Sequence, residues 1–111
     1  MSEWTVVYTE QAELDLRSIF EYIAFSLLEP ETAKSQLQRI MDTVANLGEM
    51  PMRYHLYEKE PWHSKGLRVL PIDNYLTFYL PMESKMIVAV IRIMYGGRDI
   101  EDQLQQTKAR R

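Results

Sequence analysis

The chain is 111 residues long, which suits one domain around one hydrophobic core and leaves no room for a second. Its 13 basic and 16 acidic residues give a net charge of −3; Lys108, Arg110 and Arg111 lie in the last four positions, so the body without them holds 10 basic against 16 acidic residues, or −6. That balance argues against a broad phosphate-binding surface, and the lack of cysteine excludes disulfides, a thiolate zinc site and a cysteine nucleophile.

The N-terminus, MSEWTVVY, has neither a basic n-region nor a long apolar run, and no stretch reaches the roughly 18 apolar residues of a membrane helix. A soluble, cytoplasmic protein with no membrane partner is expected. Glu3 to Tyr8 is short and β-prone and reads as a first strand. Thr9 is placed to cap a helix, with Glu10 and Glu13 near its positive end. Ala12, Leu16, Ile19, Phe20 and Ile23 then form an apolar stripe at helical spacing, and the helix should end near Leu28. Pro30 suits the first turn of a second helix, whose stripe runs Ala33, Leu37, Ile40, Met41, Val44 and Leu47 until Gly48 offers a stop. The two form a helical hairpin in need of an apolar partner.

Met50 to Lys65 has no clean period and holds two prolines and two histidines, so it reads as a long surface connection. Leu67 to Ile72 returns to strand, Asp73-Asn74 makes a tight turn, and Asn74 to Leu80 alternates. Tyr75, Thr77 and Tyr79 should point one way, and Leu76, Phe78 and Leu80 the other. Met86 to Met94 reads MIVAVIRIM, a central strand covered on both faces. On a period of two, Ile87, Ala89, Ile91 and Ile93 make a purely apolar face for the helices, and Arg92 lies on the other. Gly96-Gly97 suits a turn needing positive φ, Ile100 to Gln106 a short terminal helix, and residues 107–111 a frayed basic tail. The expected fold is α+β: an N-terminal strand, a helical hairpin, then a three-stranded antiparallel meander, with two helices on one face of a small twisted sheet.

No catalytic or metal motif stands out. His55 and His63 lie eight residues apart, away from helical metal-ligand spacing, so neither a metal nor a cofactor is expected. Arg68, Arg92 and Arg98 are more informative: on a paired hairpin they approach the face left uncovered by helices, either paired with acids such as Asp73, Asp99 or Glu101, or free to form an anion- or partner-binding groove. Tyr75, Tyr79 and Tyr95 add aromatic surface there, and Trp62 either anchors a partner or folds back over the sheet edge.

The element order, with LR-x-L-P-I-D-N-Y-L-x-F-Y followed by V-I-R-I-x-Y-G-G-R-D, resembles the RelE/ParE superfamily of bacterial toxins over Trp4 to Leu104. The resemblance implies a type II toxin–antitoxin module and a cognate antitoxin whose extended or helical segment wraps this chain. It also implies a choice of target. RelE-like members cut mRNA on the ribosome, which requires activation of the 2′-hydroxyl, cationic stabilisation of the phosphorane and a general acid. Arg68, Arg98 and Tyr95 are the catalytic candidates on that reading, but Leu76 stands where a strand arginine is expected and Leu104 where a terminal tyrosine is expected. ParE-like members poison DNA gyrase. Asn74 to Tyr79 and the RI…RD ending are closer to them, although Tyr95 takes a position that is often histidine.

The first reading is therefore a ParE-like growth inhibitor that binds a protein target such as DNA gyrase through Arg68, Tyr75, Tyr79, Arg92, Tyr95 and Arg98. The alternatives are a ribosome-dependent mRNA endonuclease and a non-toxic scaffold that only binds antitoxin.

Overall fold

The structure, a computed structural model, describes residues 3–97 and 99–107. The N-terminal strand β1 (Thr5–Tyr8) feeds helix α1 (Glu10–Glu21) through Thr9, whose hydroxyl oxygen accepts from the Ala12 amide at 3.1 Å. The same residue holds strand and helix to the sheet, because its amide donates to the Val90 carbonyl at 3.1 Å. Helix α1 continues as a π-helical segment (Tyr22–Ser26), and α2 (Pro30–Ala45) starts with its proline in the first turn, where the missing N–H costs nothing. It closes in a 3₁₀ turn, Asn46–Gly48.

Three further strands follow, β2 (Arg68–Ile72), β3 (Tyr75–Met82) and β4 (Ile87–Tyr95), preceded by the one-turn helix α3 (Trp62–Lys65) and followed by α4 (Ile100–Gln105). Asp73-Asn74 joins β2 to β3, with Asp73 at φ 54°. The sheet order is β1-β4-β3-β2: the meander is antiparallel, and β1 lies parallel to β4 with Thr5 opposite Ile87 and Tyr8 opposite Val90. The α+β fold expected from the sequence is the one found, with α1 and α2 on one face.

Four expectations change. The first concerns β4, whose alternation is broken by a bulge: Phe78 pairs with Arg92 but Tyr79 with Val90, so Ile91 is an extra residue and the parity flips beyond it. Val88, Val90 and Ile93 pack with the helices around Ile40, Val44 and Tyr79, whereas Ala89, Ile91 and Met94 pack on the opposite face. The predicted set Ile87, Ala89, Ile91 and Ile93 is thus divided between the two faces.

Second, the opposite face is not open. Trp62, Tyr57, Leu67, Ile100 and Leu104 form a second apolar cluster over Phe78 and Ile91, and Trp62 is only 4% exposed. Third, the Met50–Lys65 connection is tied to β2, since Tyr57 N–H donates to the Leu67 carbonyl at 2.8 Å and Val69 N–H to His55 at 3.0 Å. That pairing covers the outer edge of β2, an economical way to deny it to other strands. Fourth, neither Gly96 nor Gly97 adopts positive φ. Gly96 is instead favoured by proximity: its amide donates to Asn74 O at 2.8 Å, and a Cβ would crowd that oxygen at 3.3 Å.

Candidate functional site

A broad concavity lies where β1 stops. Tyr8 pairs with Val90 and the chain then turns into α1, so the β4 backbone beyond Val90 has no strand on that side. Asp15, the second turn of α1, fills the gap. Its Oδ2 accepts from the Ile93 amide at 2.9 Å, and its two oxygens accept from Arg92 Nε at 2.7 Å and Nη2 at 2.9 Å. The third Arg92 nitrogen, Nη1, donates to Thr107 Oγ1 at 2.9 Å just after α4. One guanidinium therefore joins α1, β4 and the C-terminal segment, and it is 8% exposed. A bidentate pair of this kind holds its geometry because each carboxylate oxygen and guanidinium nitrogen is matched.

Above this pair lies a groove of about 820 Å³. Ile19, Tyr22 and Leu27 form one wall, and Tyr75 and Tyr95 the other. The two tyrosine rings meet edge to face with centroids 5.8 Å apart, and burial followed by the nearby Tyr95 raises the Tyr75 phenol above its ordinary pKa. The π-helical segment shapes the first wall. Leu27 N–H reaches back five residues to Tyr22 O at 3.0 Å, which leaves Ile23 and Ala24 buried against Ala33 while Tyr22, Phe25 and Leu27 face outward.

The predicted site residues divide into two places. Arg92, Tyr75 and Tyr95 share the groove. Arg68 does not join them: its Nη1 donates to Tyr54 O at 2.6 Å and Met52 O at 2.9 Å, beyond the opposite edge of the sheet. Tyr79 lies beside it in the ladder, fully buried on the helix-covered face, with its hydroxyl donating to Pro51 O at 2.6 Å. The expected convergence of Arg68 and Arg92 on an open sheet face is replaced by two separate anchors, because each arginine turns outward from β3 to bind a different segment. Arg98 lies outside the described residues. The two histidines are exposed, and His63 Nδ1 lies 2.8 Å from Tyr57 O. Among the described residues no three His, Asp or Glu side chains converge as a metal site, and no helix is long and apolar enough to cross a membrane.

Asp15 was not legible as a partner. The sequence pairs the arginines with Asp73, Asp99 or Glu101, yet Asp15 breaks the apolar stripe of α1 between Ala12 and Leu16, as Arg92 breaks the apolar run of β4. Two buried-face charges of opposite sign were the available signal. Tyr22 and Leu27 gave none, since only the π-helical register turns them into the groove.

Chemically, the groove offers aromatic and aliphatic walls, hydroxyl and amide groups from Ser18, Thr32 and Gln103, and an ion pair closed on itself. It suits apolar side chains of a peptide better than a phosphate.

The sequence profile of the family described as ParE toxin of type II toxin-antitoxin system, parDE, matches residues 6–100. No curated protein sequence matches the chain. Among solved structures, the chain is similar to one from the chromosomal ParDE system of P. aeruginosa, with 21% identity and TM-score 0.70 over 84% of this chain and 96% of that one. It is similar to one from the RelBE2 toxin-antitoxin complex of Mycobacterium tuberculosis, with 18% identity and TM-score 0.62 over 84% and 98%. A mutant of the E. coli toxin RelE in the free state shares 11% identity and TM-score 0.64 over 94% and 97%.

Proposed function

This chain belongs to the ParE toxin family of type II toxin–antitoxin systems, and from that membership we propose that it arrests bacterial growth in the cytoplasm by binding a protein target, DNA gyrase, and is neutralised by a cognate antitoxin. The observation that carries the choice of target is how its arginines are used. Catalysis on RNA needs cations free to meet a phosphorane. Arg92 gives its guanidinium to Asp15 and Thr107, and Arg68 gives one nitrogen, Nη1, to two backbone carbonyls. The Arg92 guanidinium is neutralised by its ion pair and Arg68 is tethered by Nη1 away from the groove, and the acidic body repels RNA. The antitoxin reading draws support from the P. aeruginosa ParDE and M. tuberculosis RelBE2 neighbours, which come from toxin–antitoxin systems.

The test is to induce the chain without antitoxin in growing bacteria and follow thymidine and amino-acid incorporation, then assay supercoiling by purified gyrase. Early loss of DNA synthesis with inhibited supercoiling is expected. Early loss of protein synthesis with cleaved message overturns the gyrase assignment, and uninterrupted growth overturns the toxin reading.

A further inference from the structure

The turn that leads from α2 towards β2 has its backbone held inward and its side chains left outside. It is a single 3₁₀ turn, Pro51–Arg53, opened by Met50. The Met50 carbonyl accepts from the Arg53 amide at 3.2 Å and the Pro51 carbonyl from the Tyr79 hydroxyl at 2.6 Å. Arg68 Nη1 then donates to the Met52 carbonyl at 2.9 Å and the Tyr54 carbonyl at 2.6 Å. Arg68 is on β2 and Tyr79 on β3, so the sheet itself fixes the turn. Pro51 is buried, whereas Met50, Met52 and Arg53 are exposed, the two methionines at 69% and 40%. A loop held in this way presents its side chains with little left to order on binding.

Met50 is also poorly chosen for stability alone. Its φ of 52° lies in the left-handed region, unfavourable for a residue with a Cβ, and it precedes a proline, which favours extended backbone. Glycine fits that conformation better, and so exposed a side chain gains little packing in the folded chain. A strained, outward-facing apolar residue on a rigid support is the mark of a contact made with something else.

Charge also separates this edge from the helical hairpin. Residues 3–49 hold three basic and nine acidic side chains, or −6, with the exposed Glu49 at the boundary; residues 50–72 hold four and two, or +2. The Arg53 guanidinium lies over the Tyr54 ring, 5.2 Å from its centroid, and none of the ion pairs among the described residues involves Arg53 or Arg68. Methionine and arginine are enriched where proteins meet, and two exposed methionines suit an apolar protein surface better than a phosphate backbone.

We infer that the Met50–Arg53 turn docks the protein target, its two methionines entering an apolar recess and Arg53 meeting a carboxylate at the rim, with Arg68 and Tyr79 as positioning residues that hold the turn. This rests on the growth-inhibitor reading and adds the contact surface and the chemistry of the partner. The turn lies beyond the β2 edge of the sheet, apart from the groove.

The test compares the wild type with Met50→Gly and Arg53→Glu by growth arrest on induction without antitoxin, by binding of the labelled chain to purified gyrase, and by urea melting. Met50→Gly relieves the backbone, so its urea midpoint should hold or rise while gyrase binding weakens about tenfold and growth arrest is lost. Arg53→Glu should leave the midpoint unchanged and weaken binding about tenfold at low salt, less in high salt.

A Met50→Gly chain that binds gyrase and arrests growth like the wild type overturns the inference. Loss of gyrase binding in Phe25→Ser/Leu28→Ser with Met50→Gly unaffected does so too, by placing the target at the corner between α1 and α2. An Arg53→Glu effect on a bare DNA duplex but not on DNA-free gyrase makes the partner a nucleic acid, and concentration-dependent dimerisation lost in Met50→Gly makes it a second copy; either result overturns the inference. The readouts separate this inference from the choice of target. A wild type that arrests growth without binding gyrase, while Met50→Gly loses arrest, overturns the gyrase assignment and supports the docking turn. A wild type that never arrests growth overturns the toxin reading and the inference with it.

Discussion

Replacing Asp15 by Ala removes the acceptor for two Arg92 nitrogens and for the Ile93 amide in one step. The side chains of the pair are only 10% and 11% exposed, so solvent cannot take over the lost contacts without local opening. Breaking a buried ion pair by deleting one partner costs about 3–5 kcal/mol, most of it from the uncompensated charge, and the orphaned Ile93 amide falls within that figure. A domain of this size has a total stability of about 5–15 kcal/mol, so the variant stays folded only if the wild type lies well above the lower limit. In urea, with a slope of about 1–2 kcal/mol per M for a small domain, the midpoint should fall by about 2 M or more. The companion variant, Asp15→Leu/Arg92→Leu, removes both charges and should recover most of the loss, because an apolar pair of similar volume carries no desolvation penalty. A cost below about 1 kcal/mol for Asp15→Ala would refute the reasoning and show that the pair relaxes into solvent. The result also governs how toxicity data are read: loss of growth arrest in Arg92→Ala reports loss of fold unless the double leucine variant is inactive too.

Other outcomes follow from single contacts. The Asp73 carboxyl is held down to about 2, below its ordinary 3.8, by hydrogen bonds from Arg39 and then Gln36, so its contribution is fully present above pH 4 and is lost as the pH falls towards 2; in an acid titration followed by circular dichroism, Asp73→Asn should lose less stability across that window. Tyr79 is pushed up to about 12 by burial, so the wild type should lose stability as the pH rises from 10 to 12, and Tyr79→Phe should be flatter there while losing about 1–2 kcal/mol near neutral pH through the unpaired Pro51 carbonyl. Thr77 is fully buried and its hydroxyl has no partner among the described residues, so Thr77→Val should raise stability by about 1 kcal/mol in a urea melt.

Much of the fold was legible because its signals are local. Thr9 as a cap, Pro30 in the first turn of α2 and the Asp73-Asn74 turn depend on residues within one turn of themselves, and the stripes of α1 and α2 report burial without naming what covers them. The alternation of β3 was also sound: Tyr75 and Tyr79 lie on the helix side and Leu76, Phe78 and Leu80 on the other. On β4 no single alternation holds, because the residue inserted at Ile91 inverts the later side chains: Ile93 lies on the helix side as expected, Ala89 and Ile91 do not, and no local composition announces the bulge.

What the sequence determined by itself, then, is the succession of elements, the α+β class and the resemblance to a toxin family, all carried by periodicity and short-range chemistry. What only the tertiary structure decided is which charges meet and which surfaces stay open. Asp15 and Arg92 are separated by 77 positions and come together because β1 lies parallel to β4 and stops at Tyr8, leaving an edge that α1 crosses. The groove exists for the same reason. Its walls come from a π-helical segment, a strand end and a second strand, and neither their distance nor their orientation is encoded in any one of them.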